Sequence, residues 1–200
     1  MVAAWLALSA QASAHAEPVK IHSDYSVSLV GFPVASASFV TVIDGASYRI
    51  SGQMRTSALS DLISKTRGNA SVSGKLAADR LLATSYLVTY TSGKRAHRTE
   101  IEFSNGNVKS ASNTPESKEP AAGWVPLSAE DMRTVLDPLS SLVFPAGSKV
   151  CPRSLPIFDG QSRVTLHLAS KGVRPYRTKG FAGDAIVCSI RFEPKSGYRK

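Results

Sequence analysis

The sequence predicts a mainly β protein: a curved antiparallel sheet that forms an open barrel or β-spiral, with two short helices. Two observations lead to this fold class. Short stretches such as residues 24–29 alternate polar and apolar side chains, which is the two-residue period of a half-buried strand. Gly-containing turn signals such as Asp44-Gly45 and Asn105-Gly106 separate these stretches. The chain has 200 residues and is 42% hydrophobic, which is enough for a buried core.

The alternating stretches predict strands along most of the chain. They lie at residues 24–29, 35–43, 47–53, 70–75, 84–91, 95–103, 107–112, 155–158, 163–170, 173–177 and 185–192. Asp44-Gly45 predicts a hairpin, because a type I′ turn needs positive φ at both central positions. Lys171-Gly172 predicts a turn between two of the later strands.

The two helices are predicted from apolar residues at helical spacing. Leu59, Leu62 and Ile63 predict two turns within residues 57–65. The second helix begins at Ser128, a capping residue, and ends at Pro138. Its apolar stripe consists of Met132, Val135 and Leu136.

Residues 1–16 are predicted to be a signal peptide, which leaves residues 17–200 as a single β-rich domain. Residues 2–8 form a short apolar run, and Ala14-His15-Ala16 is a small–x–small cleavage signal before Glu17. No Lys or Arg precedes the run. A buried N-terminal helix stays open as the alternative. The run is too short to cross a bilayer, and no later segment is long and apolar enough to do so. We therefore expect an exported, periplasmic protein that is not transmembrane.

Cys151 and Cys188 are the only two cysteines, and they lie 37 residues apart. An exported protein folds in an oxidising compartment, which favours a structural disulfide between them. A redox pair is the alternative, but the spacing is unlike C-x-x-C. Two cysteines also exclude a four-thiolate metal site.

The sequence predicts no catalytic residues, no metal site and no cofactor. The chain lacks the usual nucleophile, nucleotide and zinc-protease motifs. Outside the signal segment its histidines, His22, His97 and His167, are far apart on different predicted strands. A Ser/His/Asp triad stays open, because such residues need not be close in sequence.

The net charge of +9 is concentrated near the C-terminus. Residues 161–200 contain nine Lys and Arg against two acidic residues, a net charge of +7. A solvated strand face is one interpretation, and attraction to anionic surfaces of the envelope is the other. Nucleic acid is disfavoured, because an exported protein seldom meets it. The candidate basic surface consists of Arg163, Lys171, Arg174, Arg177, Lys179 and Arg191.

Several segments carry a family resemblance. They are residues 25–35, Tyr48-Arg49-Ile50, residues 137–142, residues 156–163, and the closing Cys188 with Gly197-Tyr198. Together they resemble a family of exported proteins from Gram-negative bacteria known as domain of unknown function 3108. The resemblance implies a β fold and supplies no catalytic residues. More loosely, the architecture is similar to periplasmic β-spiral envelope-integrity proteins with a disulfide, and to open barrels that carry lipoproteins.

Three functions follow as hypotheses. The first is a non-enzymatic periplasmic protein that supports cell-envelope integrity by binding a lipid, a cell-wall polymer or a protein in the concavity of the sheet. The second is a carrier of a lipid or lipoprotein in a barrel cavity. The third is a hydrolase of envelope polymers.

Overall fold

The computed structural model describes residues 17–57, 65–77, 80–116, 122–145 and 147–200. Within these ranges the protein is mainly β with antiparallel sheets, as the sequence predicts. The predicted signal peptide at residues 1–16 lies outside the described residues. The centre of the first predicted helix, residues 58–64, also lies outside them. The described ranges contain no helix with the length and apolar character that a membrane crossing requires.

The first seven strands form one antiparallel sheet in which each strand pairs with the next along the chain. This order places the first and seventh strands at the two edges, and no pairing among the described residues closes the sheet into a barrel. The strands are β1 Val19–Leu29, β2 Phe32–Asp44, β3 Ser47–Thr56, β4 Thr66–Leu76, β5 Leu81–Ser92, β6 Arg95–Ser104 and β7 Asn107–Thr114.

The remaining strands form two smaller sheets. A two-stranded sheet pairs β8, Trp124–Val125, with β12, Tyr198–Arg199. A three-stranded sheet has the order β11-β10-β9. Its strands are β9 Arg153–Phe158, β10 Arg163–Arg177 and β11 Ala182–Ser196.

Two turn predictions need correction. The predicted strands 163–170 and 173–177 are one strand, because Lys171-Gly172 forms a bulge, seen as a register shift between Ser170 and Val173, and does not end the strand. Asp44 pairs with Ser47, so the central residues of that hairpin are Gly45-Ala46. Only Gly45 of the two has positive φ, at 55°, so the turn is not of type I′.

The second predicted helix is wrong in length. The Ser128 hydroxyl accepts the Asp131 amide at 3.3 Å, but Ala129 is the residue at the start of the turn, and no side chain caps it. Only a 3-10 turn, Glu130–Met132, follows, and Thr134 then adopts a φ of 51°. The next amides bond to other parts of the fold: Val135 donates to the Gly106 carbonyl and Leu136 to the Pro156 carbonyl, each at 2.8 Å. These long-range bonds take the place of helical ones. A second 3-10 turn lies at Ser140–Leu142.

The core lies between one face of the seven-stranded sheet and the segment that follows it. Tyr48, Ile50 and Ile101 on the sheet are almost fully buried against side chains that include Val135, Leu139 and Phe158. A second, smaller cluster surrounds the predicted disulfide. It contains Cys151, Leu155, Ile157 and Leu168, with Cys188 against it.

The Cys151–Cys188 disulfide is present, which confirms the predicted pair. It closes a loop of 37 residues, so we expect it to stabilise the fold by about 3–4 kcal/mol through the lost entropy of the unfolded chain. Replacing Cys151 with Ser should therefore lower the melting temperature by about 10 °C.

Thermal unfolding followed by circular dichroism measures this effect. The double substitution Cys151→Ser with Cys188→Ser is the control, and it should match the single one because both lack the bridge. An unchanged melting temperature in both variants would contradict a stabilising role.

Candidate functional site

A continuous row of polar side chains crosses all seven strands of the large sheet. Each member is the direct antiparallel partner of the next, and together they make up what we call the polar row. From β1 to β7 it consists of Asp24, Ser38, Gln53, Asn69, Thr89, Arg98 and Thr114.

The position of the polar row follows from the alternation of side chains along a strand. Phe39, Ala70 and Val88 point into the core, and each is the chain neighbour of a member of the row. Successive side chains of a strand point to opposite faces. Burial of the apolar residues therefore places the polar row on the opposite face.

Every member of the polar row lines a concavity of about 1380 Å³ on this face. Further residues on both sides of the polar row, two positions along each strand, extend the lining of the concavity. They include His22, Arg55 and Arg67. With Arg98, the concavity has three guanidinium groups on three different strands. Most of the other lining side chains on this face are hydroxyls, amides or small apolar groups.

Hydrogen bonds already order part of this lining. The Ser38 hydroxyl donates to Asp24 Oδ1 at 2.6 Å. Arg98 forms an ion pair with Glu100, and Arg55 Nε donates to the Ser36 hydroxyl at 3.4 Å. A guanidinium has five N–H donors, so one such bond leaves donors for a ligand.

Two glycines let the strands approach closely at the base of the concavity. A Cβ atom at Gly52 would lie 2.1 Å from the Ser38 carbonyl oxygen and 2.4 Å from the Phe39 ring. At Gly68 it would lie 2.6 Å from Tyr90 Cβ. Both glycines line the concavity, so its shape depends on the lack of a side chain there.

The six residues of the predicted basic surface lie away from the concavity. Lys171, Arg174, Arg177, Lys179 and Arg191 are exposed on the β10–β11 hairpin. They share that hairpin with several exposed apolar side chains.

Arg163 differs from the other five. It is half-buried at the start of β10, where it donates to the Val164 carbonyl and to the Thr165 hydroxyl. Burial lowers its pKa, although nearby Asp131 opposes that change. The structure thus separates Arg163 from the five exposed charges.

The chain is similar to one family of proteins. The sequence pattern of the family described as protein of unknown function (DUF3108) matches residues 24–200. The chain belongs to this family. No curated protein matches the chain, and no solved structure matches it. The resemblance drawn from the sequence motifs is therefore confirmed, while the DUF3108 description itself names no ligand.

One motif behind the DUF3108 resemblance contains a fully buried acid. The Asp137 carboxyl is 0% exposed, and its Oδ1 accepts the amides of Leu139 and Ser140, each at 2.9 Å. Ser140 and Tyr48 share a hydrogen bond of 2.7 Å between their hydroxyls. Burial raises the pKa of Asp137 despite these bonds. Asp137 lies outside the lining of the concavity and holds the second 3-10 turn against the sheet.

The three histidines lie in two regions of this DUF3108 chain. His22 and His97 both line the concavity, and His97 also stacks on Tyr90 with ring centroids 4.7 Å apart. His167 bonds to the Ser154 hydroxyl at 3.0 Å and to Glu193 at 2.6 Å. Hydrogen bonds from Lys195 and His167 lower the pKa of Glu193 to about 2. Across the described ranges, no three His, Cys, Asp or Glu side chains converge to hold a metal ion.

The polar row was missed by sequence reasoning. Alternation along residues 47–53 places Arg49 and Ser51 opposite the apolar Tyr48 and Ile50, and such polar positions usually form a solvated face. The available signal was that seven adjacent strands each bring a polar residue to one register line. Finding it requires the pairing register, which the turns alone do not supply.

We predict that Gly52→Ala destabilises the protein by about 2 kcal/mol, because the new methyl group would overlap the backbone of β2. Chemical denaturation measures the change. Gly180→Ala is the matched control, since a Cβ there would have no atom within 4 Å, and it should cost less than about 0.5 kcal/mol. Equal stability of the two variants would contradict the close packing of β2 on β3.

We predict that Asp137→Asn gains stability relative to the wild type as pH rises above about 4. The folded state raises the pKa of Asp137, so it holds a proton that the unfolded chain releases. The free energy of unfolding of the wild type therefore falls with pH between the unfolded and folded pKa values. Asn keeps the Oδ1 acceptor and does not titrate.

Denaturant titrations of both proteins across this pH range measure the difference. A difference that does not change with pH would contradict the buried environment of Asp137.

Proposed function

We propose that this protein is a non-enzymatic periplasmic protein that supports cell-envelope integrity by binding an acidic, hydroxyl-rich cell-wall polymer in its concavity. The polar row is the observation that carries the proposal. In this proposal the seven-stranded sheet acts as the open barrel predicted from the sequence, with the ligand lying across its strands. The periplasmic location rests on the signal peptide predicted at residues 1–16.

The chemistry of the lining supports a glycan ligand. Side-chain amides such as Gln53 and Asn69 both donate and accept hydrogen bonds, which suits sugar hydroxyls. The guanidinium groups of Arg55, Arg67 and Arg98 suit carboxylate groups, which they bind with two parallel hydrogen bonds. A carboxylated polymer with many hydroxyls uses both kinds of group.

The same lining disfavours the other two hypotheses. A carrier of a lipid needs an enclosed pocket with few charges, whereas this concavity lies on the open face of the sheet and has three guanidinium groups beside the polar row. A triad hydrolase needs a hydroxyl that is bonded to a histidine. In the concavity the Ser38 hydroxyl instead donates directly to Asp24. The hydroxyl that does bond to a histidine, Ser154 to His167, lies outside the lining of the concavity.

We predict that Arg55→Gln combined with Arg67→Gln weakens binding to purified peptidoglycan sacculi at least tenfold. Each lost hydrogen bond to a charged group costs about 1.5–3 kcal/mol. Sedimentation of the protein with sacculi over a concentration series measures the binding.

A matched control removes two charges from the same two strands. Arg49 on β3 and Lys75 on β4 are exposed but do not line the concavity, so Arg49→Gln with Lys75→Gln should bind like the wild type. Equal losses in both double variants would mean that only net charge matters. No loss in the first would exclude the concavity as the binding site.

A cellular experiment tests the role in envelope integrity. We predict that deleting the gene increases sensitivity to detergent, and that the wild type and the Arg49/Lys75 control restore growth. The Arg55/Arg67 variant should fail to restore it at equal protein levels. Normal detergent tolerance of the deletion strain would contradict the proposed role.

A further inference from the structure

The β10–β11 hairpin extends well beyond the core. Residues 169–184 are exposed without interruption, and the disulfide at Cys188 marks the level at which the hairpin joins the second core cluster. We call residues 169–192 the projecting hairpin, of which residues 189–192 lie alongside the second core cluster. This degree of exposure is unusual for a pair of strands, because isolated two-stranded hairpins are only marginally stable in water.

One face of the projecting hairpin carries most of its exposed apolar side chains, with Arg177 and Asp184 at its outer end. Val173 pairs with Ile186, and Ile190 and Phe192 follow on the same face because they lie an even number of residues from Ile186. Their exposed fractions run from 56% for Ile186 to 63% for Ile190 and Phe192. Phe181 in the turn is 50% exposed, so the apolar surface reaches the tip.

The projecting hairpin also carries a strong positive charge. It contains five basic residues and a single acidic one, Asp184, for a net charge of +4. Arg177 lies on the same face as Val173, and Lys179 lies in the turn beside Phe181. The basic residues are Lys171, Arg174, Arg177, Lys179 and Arg191.

We propose that the projecting hairpin docks this protein on the surface of an anionic phospholipid bilayer. The apolar face and Phe181 enter the interface between headgroups and acyl chains, while the basic side chains contact lipid phosphates. Long Lys and Arg side chains can lie along apolar surface and keep their charges at the headgroup level. This inference uses a surface separate from the concavity and does not depend on the proposed glycan ligand.

Charge favours a bilayer over a second copy of the chain as the partner that covers the projecting hairpin. Two projecting hairpins facing each other would each bring a net charge of +4, and like charges disfavour that contact. A bilayer with anionic lipids offers both an apolar interior and the opposite charge.

A second apolar tip provides an internal comparison. Leu29, Val30 and Phe32, at the β1–β2 turn, are 67%, 89% and 64% exposed. Residues 25–43 contain no charged side chain, so this tip lacks the attraction to anionic lipid. The proposal therefore assigns docking to the projecting hairpin and not to the β1–β2 tip.

The test is flotation of the full chain with vesicles of mixed phosphatidylethanolamine and phosphatidylglycerol, beside vesicles of phosphatidylcholine alone. We expect the wild type to bind the anionic vesicles, to bind the neutral ones much more weakly, and to lose binding as salt is raised. Arg177→Gln with Lys179→Gln should weaken binding about 25-fold, from roughly fivefold for each charge. Phe181→Ser should weaken it about tenfold or more.

Three controls make the outcome decisive. Lys94→Gln with Arg95→Gln removes two exposed charges from the β5–β6 turn and should leave vesicle binding unchanged. Val30→Asn should also leave it unchanged, and thermal unfolding should show that all variants stay folded. The proposal is overturned if the wild type does not bind anionic vesicles, or if the Lys94/Arg95 control loses as much as the hairpin variants. It is equally overturned if Val30→Asn abolishes binding while Phe181→Ser does not, or if sedimentation finds a dimer that Phe181→Ser dissociates without any vesicle binding.

Discussion

The register of the seven-stranded sheet is the constraint on which the rest of the structure depends. Because side chains alternate along each strand, burying Phe39 places Ser38 on the other face, and burying Ala70 does the same for Asn69. A slip of one residue in any strand would exchange the two faces. The core and the polar row are therefore two results of one set of pairings.

The segment after the sheet holds this register in place. Leu136 exchanges backbone hydrogen bonds with β9: it donates to the Pro156 carbonyl at 2.8 Å and accepts the Phe158 amide at 2.9 Å. Phe158, 1% exposed, packs against the sheet. Asn113 on β7 donates to the Gly160 carbonyl at 3.0 Å, which joins the sheet edge to the turn after β9. The large sheet and the C-terminal strands are thus connected by hydrogen bonds as well as by the core.

Much of the fold could be predicted because its signals are local. Two-residue alternation predicted the strands, and Asn105-Gly106 predicted a hairpin with positive φ at both residues. The expectation of export predicted the disulfide pair. The prediction of the second helix was wrong because Val135 and Leu136 form hydrogen bonds with residues far along the chain. No local sequence pattern contains that information. The polar row depends on a register across seven strands, so single-strand patterns could not identify it. The concentration of basic residues was evident from the sequence, but only the structure shows that they lie near the exposed side chains of Val173 and Phe181.

The central claim is that the concave polar face binds an envelope polymer. Backbone amide chemical shifts of the labelled protein, recorded as soluble peptidoglycan fragments are added, test it most directly. Binding in the concavity should cause saturable shifts at Ser38, Gln53, Asn69 and their neighbours across the strands, and it should leave the projecting hairpin unaffected. Shifts confined to the hairpin, or none across the large sheet, would contradict it.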